Sequence, residues 1–202
     1  ELILLINIID IGLGNVGSIE HWLDRSNLFY KRVFQIEDFT NDAIIIPGVA
    51  SAGEYMRKLK EIGLDGELVK RSKQGQKIIG ICLGFQLLTD YSEEDGGVEC
   101  LGILKGSTKY IDNRKTHNGW DSFHLDAREL SGNTHIKKKK KKIASGRVYF
   151  NHELKVELEC MSHTSKLDNN ITSFAIRDNI FGFQFHPEKS QRTGQEILEL
   201  II

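Results

Sequence analysis

Apolar and polar positions fall into blocks whose period changes along the chain. Residues 3–10 are a nearly unbroken apolar run, interrupted by Asn7, and predict a strand buried on both faces. After a Gly-rich turn, Ile19, Trp22 and Leu23 share one face of a helix predicted over 18–25. Residues 30–36 predict a second strand, and 42–46 a short third one ending at Pro47-Gly48. Helices are predicted around 53–62 and 65–72, then a short apolar strand, 77–81, leading directly into a helix over 83–90. Such alternation predicts an α/β fold, a mostly parallel sheet with helices on both faces.

From about 102 to 177 the pattern changes. Gly and polar residues separate short β-prone pieces at 108–111, 147–151, 155–159 and 172–176. These predict an antiparallel or mixed extension of the same sheet. A final strand, 180–185, precedes a helix carrying Ile197, Leu198, Ile201 and Ile202. No repeat or long linker interrupts the chain, so 1–202 is read as one domain.

Composition narrows the class. A hydrophobic fraction of 40% and a charged fraction of 27% exclude disordered and fibrous chains. The first apolar run lacks a basic flank and is too short to span a bilayer, so no membrane association is expected. Cys82, Cys100 and Cys160 show no metal-ligand spacing, and their odd number favours a reducing cytoplasm over a disulfide framework. No metal site and no cofactor are implied. Six of the 27 basic residues form one run, 137–142, leaving 21 against 28 acidic residues. That balance excludes nucleic acid as a partner, and the run itself reads as a solvated loop.

Two motifs carry candidate chemistry. In Gly80-Ile81-Cys82-Leu83-Gly84, a strand turns abruptly into a helix, the spacing of a nucleophile elbow with Cys in place of Ser. Small residues two positions either side relieve crowding, and the helix N-terminus favours thiolate over thiol. The Leu83 N–H can serve as an oxyanion donor. A buried cysteine in the same turn would be inert, and the second motif decides against that. The last strand ends in His186-Pro187-Glu188, placing a general base and a carboxylate that can orient it. The only two prolines, Pro47 and Pro187, both follow strands, where α/β sheets build their sites.

The blocks from Gly80 to Leu88 and from Phe181 to Ser190 resemble the signature segments of class I (triad) glutamine amidotransferases. Gly12-Leu13-Gly14-Asn15, Ile46-Pro47-Gly48-Val49, Ser92-Glu93-Glu94, His117-Asn118-Gly119-Trp120 and Tyr149-Phe150-Asn151-His152 are similar to the glutaminase subunits of imidazole glycerol phosphate synthases. The resemblance implies Cys82 as nucleophile, His186 as base and Glu188 as its orienting carboxylate. It implies an oxyanion hole at Gly48, Val49 and Leu83, and glutamine binding by Gln86, Glu94 and the segment His152, Glu153, Leu154. Trp120 and Lys189 would face a (β/α)₈-barrel cyclase in a heterodimer, which would receive ammonia for imidazole formation in histidine biosynthesis. A paralogous role, amidating a sugar of a surface polysaccharide, is the alternative. The chain departs from the family at Ala50, where Gly is usual, at Glu153 and Leu154, where a small hydroxyl residue and Tyr are usual, and at Asp121 in place of Asn. Those positions bear on glutamine affinity, activation and partner choice.

One pattern points elsewhere. Gly12-Leu13-Gly14-Asn15-Val16-Gly17 matches G-x-G-x-x-G between a strand and a helix, with Glu37 20 residues beyond Gly17. An NAD-dependent oxidoreductase would use it, but that reading leaves the elbow and the His-Pro-Glu strand end without roles.

Overall fold

The computed structural model describes residues 4–126, 128, 143–159, 163–167 and 171–202. The first apolar run is β1 (Leu5–Ile9), followed by α1 (Val16–Asp24), β2 (Phe29–Val33) and β3 (Ile44–Ile46). Then come α2 (Ala52–Glu61), α3 (Leu64–Lys73), β4 (Ile78–Ile81) and a single-turn helix, α4 (Leu83–Gln86). Short strands follow: β5 (Tyr91–Ser92), β6 (Val98–Glu99), β7 (Gly106–Tyr110), β8 (His117–Asp126), β9 (Ile143–His152), β10 (Leu154–Leu158), β11 (His163–Lys166) and β12 (Thr172–Arg177). The described elements end with β13 (Ile180–Phe183) and α5 (Gln191–Ile201).

Seven strands form the main sheet, in the order β11-β12-β13-β4-β3-β1-β2. The five from β13 to β2 are parallel; β12 and β11 add on antiparallel. Alternate residues of the apolar strands serve opposite faces. Ile8, Ile45 and Ile79 pack with Ile19, Trp22 and Leu23 of α1 and Ile197, Leu198 and Ile201 of α5. Ile9, Ile44, Ile46 and Ile78 pack with Tyr55, Met56 and Leu59 of α2 and Leu64 and Leu68 of α3. Helices therefore cover both faces, as the periodicity predicts.

The extension is only partly as expected. Residues 172–176 do extend the main sheet, but 108–111 and 155–159 fall in a separate four-stranded sheet, β10-β7-β5-β6. Residues 147–151 belong to a two-stranded ribbon of β8 and β9, ten residue pairs long. Two predicted elements are shorter than their apolar patterns. The helix from 83 stops at Gln86 because the carbonyls of Leu87 and Leu88 accept N–H groups from 101–104 instead of continuing the helix. The second strand stops at Val33, where the Asp38 carboxylate takes the N–H groups of Phe34 and Gln35 at 3.0 and 3.2 Å. The lysine run 137–142 and Cys160 lie outside the described residues. Among the described residues, no helix is long and apolar enough to cross a membrane.

Candidate active site

Cys82 stands between β4 and α4 with φ 50° and ψ −107°, a left-handed conformation that costs a β-carbon-bearing residue about 1–3 kcal/mol. Crowding explains the glycines around it. A Cβ on Gly80 would lie 2.7 Å from the Gly84 carbonyl oxygen, and one on Gly84 only 2.1 Å from that of Ile46. A Cβ on Gly48 would meet Ile81 O at 1.8 Å and Leu83 N at 2.6 Å. The end of β3 thus lies directly across the elbow, a closeness only glycine permits. The Cys82 N–H donates to Phe183 O at 2.7 Å, tying the elbow to the adjacent parallel strand.

That strand delivers His186. Its N–H donates to Tyr149 O at 2.8 Å, so the β8–β9 ribbon clamps the strand end. Its Nδ1 lies 2.8 Å from Glu188 Oε1 in the turn Pro187–Lys189. A carboxylate only accepts, so Nδ1 carries the proton there. Burial, the largest single influence, pushes the His186 pKa down. Hydrogen bonds and charge from Cys82 and Glu188 together outweigh it and raise the pKa to about 9. His186 is 1% exposed and Cys82 6%, so this pair is shielded from solvent.

An open cavity of about 280 Å³ lies above the elbow. Gly48, Val49, Cys82, Leu83, Gln86, Glu94, His152, Glu153, Leu154, His186 and Lys189 all line it. Glu188 sits behind His186, outside the lining. Trp120 does not reach the cavity; it lies on β8, partly exposed, with its ring 5.6 Å from that of Tyr149. Gln86 is buried and donates weakly to Leu154 O at 3.4 Å and Gln184 Oε1 at 3.5 Å. The Glu94 carboxylate accepts the Ala52 N–H at 2.8 Å, where α2 begins. Burial raises its pKa, and the charges of Asp95 and Glu153 add to the rise. The departure at Glu153 therefore places a second carboxylate in the pocket.

His152 is held neutral. Burial is the main cause, and repulsion from His117 and His186 adds to it, leaving a pKa of about 4. Its Nδ1 donates to Leu154 O at 2.6 Å. The folded pKa is depressed below the unfolded value of about 6.5, so the chain loses stability as pH falls from about 6.5 to 4, by up to about 3 kcal/mol. Urea unfolding at pH 7 and pH 4.5 should show this loss in wild type and a smaller one in His152→Gln. Equal losses would show that His152 is not its source. His186 acts at the other end: its raised pKa contributes stability that is present below about 6.5 and lost as pH rises through about 9.

The family profile described as Glutamine amidotransferase class-I matches residues 8–202. The chain belongs to the class I glutamine amidotransferases. It is 35% identical over 208 residues to "Imidazole glycerol phosphate synthase subunit HisH" of Geobacillus thermodenitrificans, covering 96% of this chain and 93% of that one. It is 36% identical to subunit HisH 2 of Methanococcus maripaludis, with 98% of each covered. Among solved structures, a chain of PurLQS from Thermotoga maritima superposes with a TM-score of 0.71 at 19% identity, covering 98% of this chain and 97% of that one, a likeness of fold.

In this amidotransferase, residues to which the sequence motifs assign no role also stand in or behind the cavity. Asn151 O lies 3.8 Å from the Cys82 sulfur, and Gln184 Nε2 donates to the same sulfur at 3.9 Å. Gln184 alternates with apolar neighbours in the last strand, and its buried polarity was the available signal. Tyr110, from the four-stranded sheet, lines the far wall and had no sequence signal. Two donors of the glycine turn are engaged within the protein rather than open to a dinucleotide phosphate, the Gly12 N–H with Asp10 and the Asn15 side-chain amide with Glu188.

Proposed function

We propose that this chain, as one amidotransferase domain over 1–202, hydrolyses L-glutamine through Cys82, His186 and Glu188 and passes the ammonia to a (β/α)₈-barrel cyclase. The observation that carries this is the His186 imidazole, held by Glu188 at 2.8 Å and sharing with Cys82 the floor of one open pocket. The Cys82 sulfur attacks the side-chain amide carbon while the carbonyl oxygen gains charge beside the Leu83 N–H and the Gly48–Val49 backbone. His186 gives its proton to the departing nitrogen, so the C–N bond breaks and ammonia leaves a thioester. Water then attacks the thioester, His186 takes its proton and returns it to sulfur, and glutamate is released. The glutamine α-ammonium pairs with Glu94, and Gln86 and the His152–Leu154 segment hold the rest. Trp120 and Lys189 face the cyclase.

The relatives carry the name of imidazole glycerol phosphate synthase subunits, which favours histidine biosynthesis, in the cytoplasm, over amidation of a polysaccharide sugar. Ammonia that escaped into neutral water would be protonated, so hydrolysis without a docked acceptor would be wasteful. Ala50 supplies a brake. It has no left-handed φ as it stands. Turning the Pro47–Ala50 loop to aim a further oxyanion donor would then cost a residue with a Cβ about 1–2 kcal/mol more than glycine.

The test is steady-state ammonia release from wild type and Ala50→Gly, alone and with the barrel subunit and its acceptor. The expected result is slow hydrolysis by the lone chain, strong stimulation by the loaded partner, and a basal rate raised roughly 5- to 30-fold in Ala50→Gly. A lone wild-type chain that is already fast, unchanged by Ala50→Gly, would refute the loop mechanism. A chain inert under every condition would refute the function.

A further inference from the structure

The glycine turn before α1 is left without a role by the hydrolytic mechanism, yet it touches the triad. Asn15 Nδ2 donates to Glu188 Oε1 at 2.5 Å, the same oxygen that accepts from His186 Nδ1. Asn15 is the N-cap residue of α1, and its carbonyl accepts the Ser18 N–H at 2.9 Å. An asparagine at that position ordinarily turns its side-chain oxygen to the first free N–H groups of its own helix. Here it makes no such cap and spends its amide on a residue 173 positions away.

The surroundings hold it there. Gly14 has φ +100°, and a Cβ on it would lie 3.0 Å from Pro47 Cβ, so the turn is wedged against the strand end that crosses the elbow. At the other end of α1, Trp22 Nε1 donates to Gly194 O at 3.1 Å and Gln195 Nε2 to Trp22 O at 3.2 Å, fixing α1 against α5. Both Asn15 and Glu188 are thus presented by anchored backbone.

Building on the glutaminase reading, we propose that Asn15 is a positioning residue of the catalytic triad: its side-chain amide holds the Glu188 carboxylate in the rotamer that faces His186. A glutamate side chain turns about three bonds, and His186 alone fixes only one oxygen. With Asn15 on the same oxygen, Oε1 has donors from two directions, while Oε2 is buried without a hydrogen-bond partner among the described residues. The pair of donors on Oε1 is what holds the carboxylate. The glycine turn is therefore the part of the N-terminal segment that carries the triad's fourth member, which gives the G-x-G-N pattern a purpose without a nucleotide.

Asn15→Ser separates this role from a structural one, because serine caps a helix as well as asparagine does but is too short to reach Glu188. With the full chain in complex with its loaded barrel partner, Asn15→Ser should keep the wild-type Tm. Its kcat for ammonia release should fall roughly 10- to 100-fold with KM little changed. Asn15→Asp, which sets an acceptor against the carboxylate, should lose more. The second readout is the titration of His186 by NMR, which needs no turnover. The titratable groups facing His186 are Cys82, Glu188, His152 and Tyr149, whose ring lies 6.4 Å from the imidazole. If Asn15 holds the carboxylate in place, His186 titrates lower in Asn15→Ser than in wild type. Wild-type kcat and an unmoved His186 titration in Asn15→Ser would overturn the proposal while leaving the glutaminase reading intact. So would an Asp variant as active as the Ser one. If wild type itself releases no ammonia, that reading fails, and the His186 titration alone still decides whether Asn15 positions Glu188.

Discussion

Cys82→Ala should abolish glutamine hydrolysis, lowering kcat by a factor on the order of a million, to the background rate. The fold should survive, since alanine is smaller than cysteine and the hydrogen bonds of the Cys82 sulfur to Asn151 and Gln184 are long, at 3.8 and 3.9 Å. The same substitution should lower the His186 pKa from about 9, because the interaction with Cys82 is the strongest of the influences that raise it. Ammonia release and an NMR titration of His186 read the two effects. A glutamine-like electrophile should label Cys82 and spare Cys100, whose thiol burial pushes up to about 12. Glu188→Gln should be milder than loss of Cys82 or His186, because that carboxylate orients the ring and carries no proton in the reaction. Labelling of Cys100 at a rate comparable to Cys82 would remove Cys82 from the role of nucleophile.

Gly84→Ala should be strongly destabilising. Its Cβ would sit 2.1 Å from Ile46 O and 3.1 Å from Pro47 O, and both are backbone atoms that cannot swing aside. Relief requires moving the end of β3 off the elbow or opening the turn at Cys82. Overpacking of this kind costs about 3 kcal/mol or more. At about 2–4 °C per kcal/mol for a chain of this size, Tm should fall by about 6–12 °C. Thermal unfolding followed by circular dichroism measures it. A variant that melts with wild type would show that the strand end is not packed on the elbow as described. Hydrolysis should fall as well, since the same movement displaces the Gly48–Val49 backbone beside Leu83.

The elbow was legible because its constraint is local. Gly80, Cys82 and Gly84 are spaced for a strand-to-helix turn, and that turn forces the left-handed φ at Cys82 whatever surrounds it. The His186–Glu188 pairing was legible for the same reason, with a single residue, Pro187, between the ring and its carboxylate. The division into three sheets was not. Strand β8 reads His-Asn-Gly-Trp-Asp-Ser-Phe-His-Leu-Asp, polar over most of its length, and only Phe123, Leu125 and Asp126 are buried. Its pairing with β9 depends on contacts between distant segments, which a local pattern does not encode. Asn15 escaped for a related reason. At the start of a helix an asparagine reads as a cap, and only the fold brings Glu188 within its reach.

The pocket has walls of different ancestry in the architecture. Cys82 and His186 follow β4 and β13, neighbours in the interior of the seven-stranded sheet, while His152 ends the β8–β9 ribbon and Leu154 starts the four-stranded sheet. Opening fluctuations in a protein follow cooperative units, and units with many buried apolar contacts open least. The nucleophile therefore rides on strands buried along their whole length, where opening should be rarest, and the substrate wall on separate units that should open more readily. A force applied to the ribbon through Trp120 would reshape the glutamine-binding wall and tug the backbone of His186 through Tyr149, while the thiol stays where the sheet holds it.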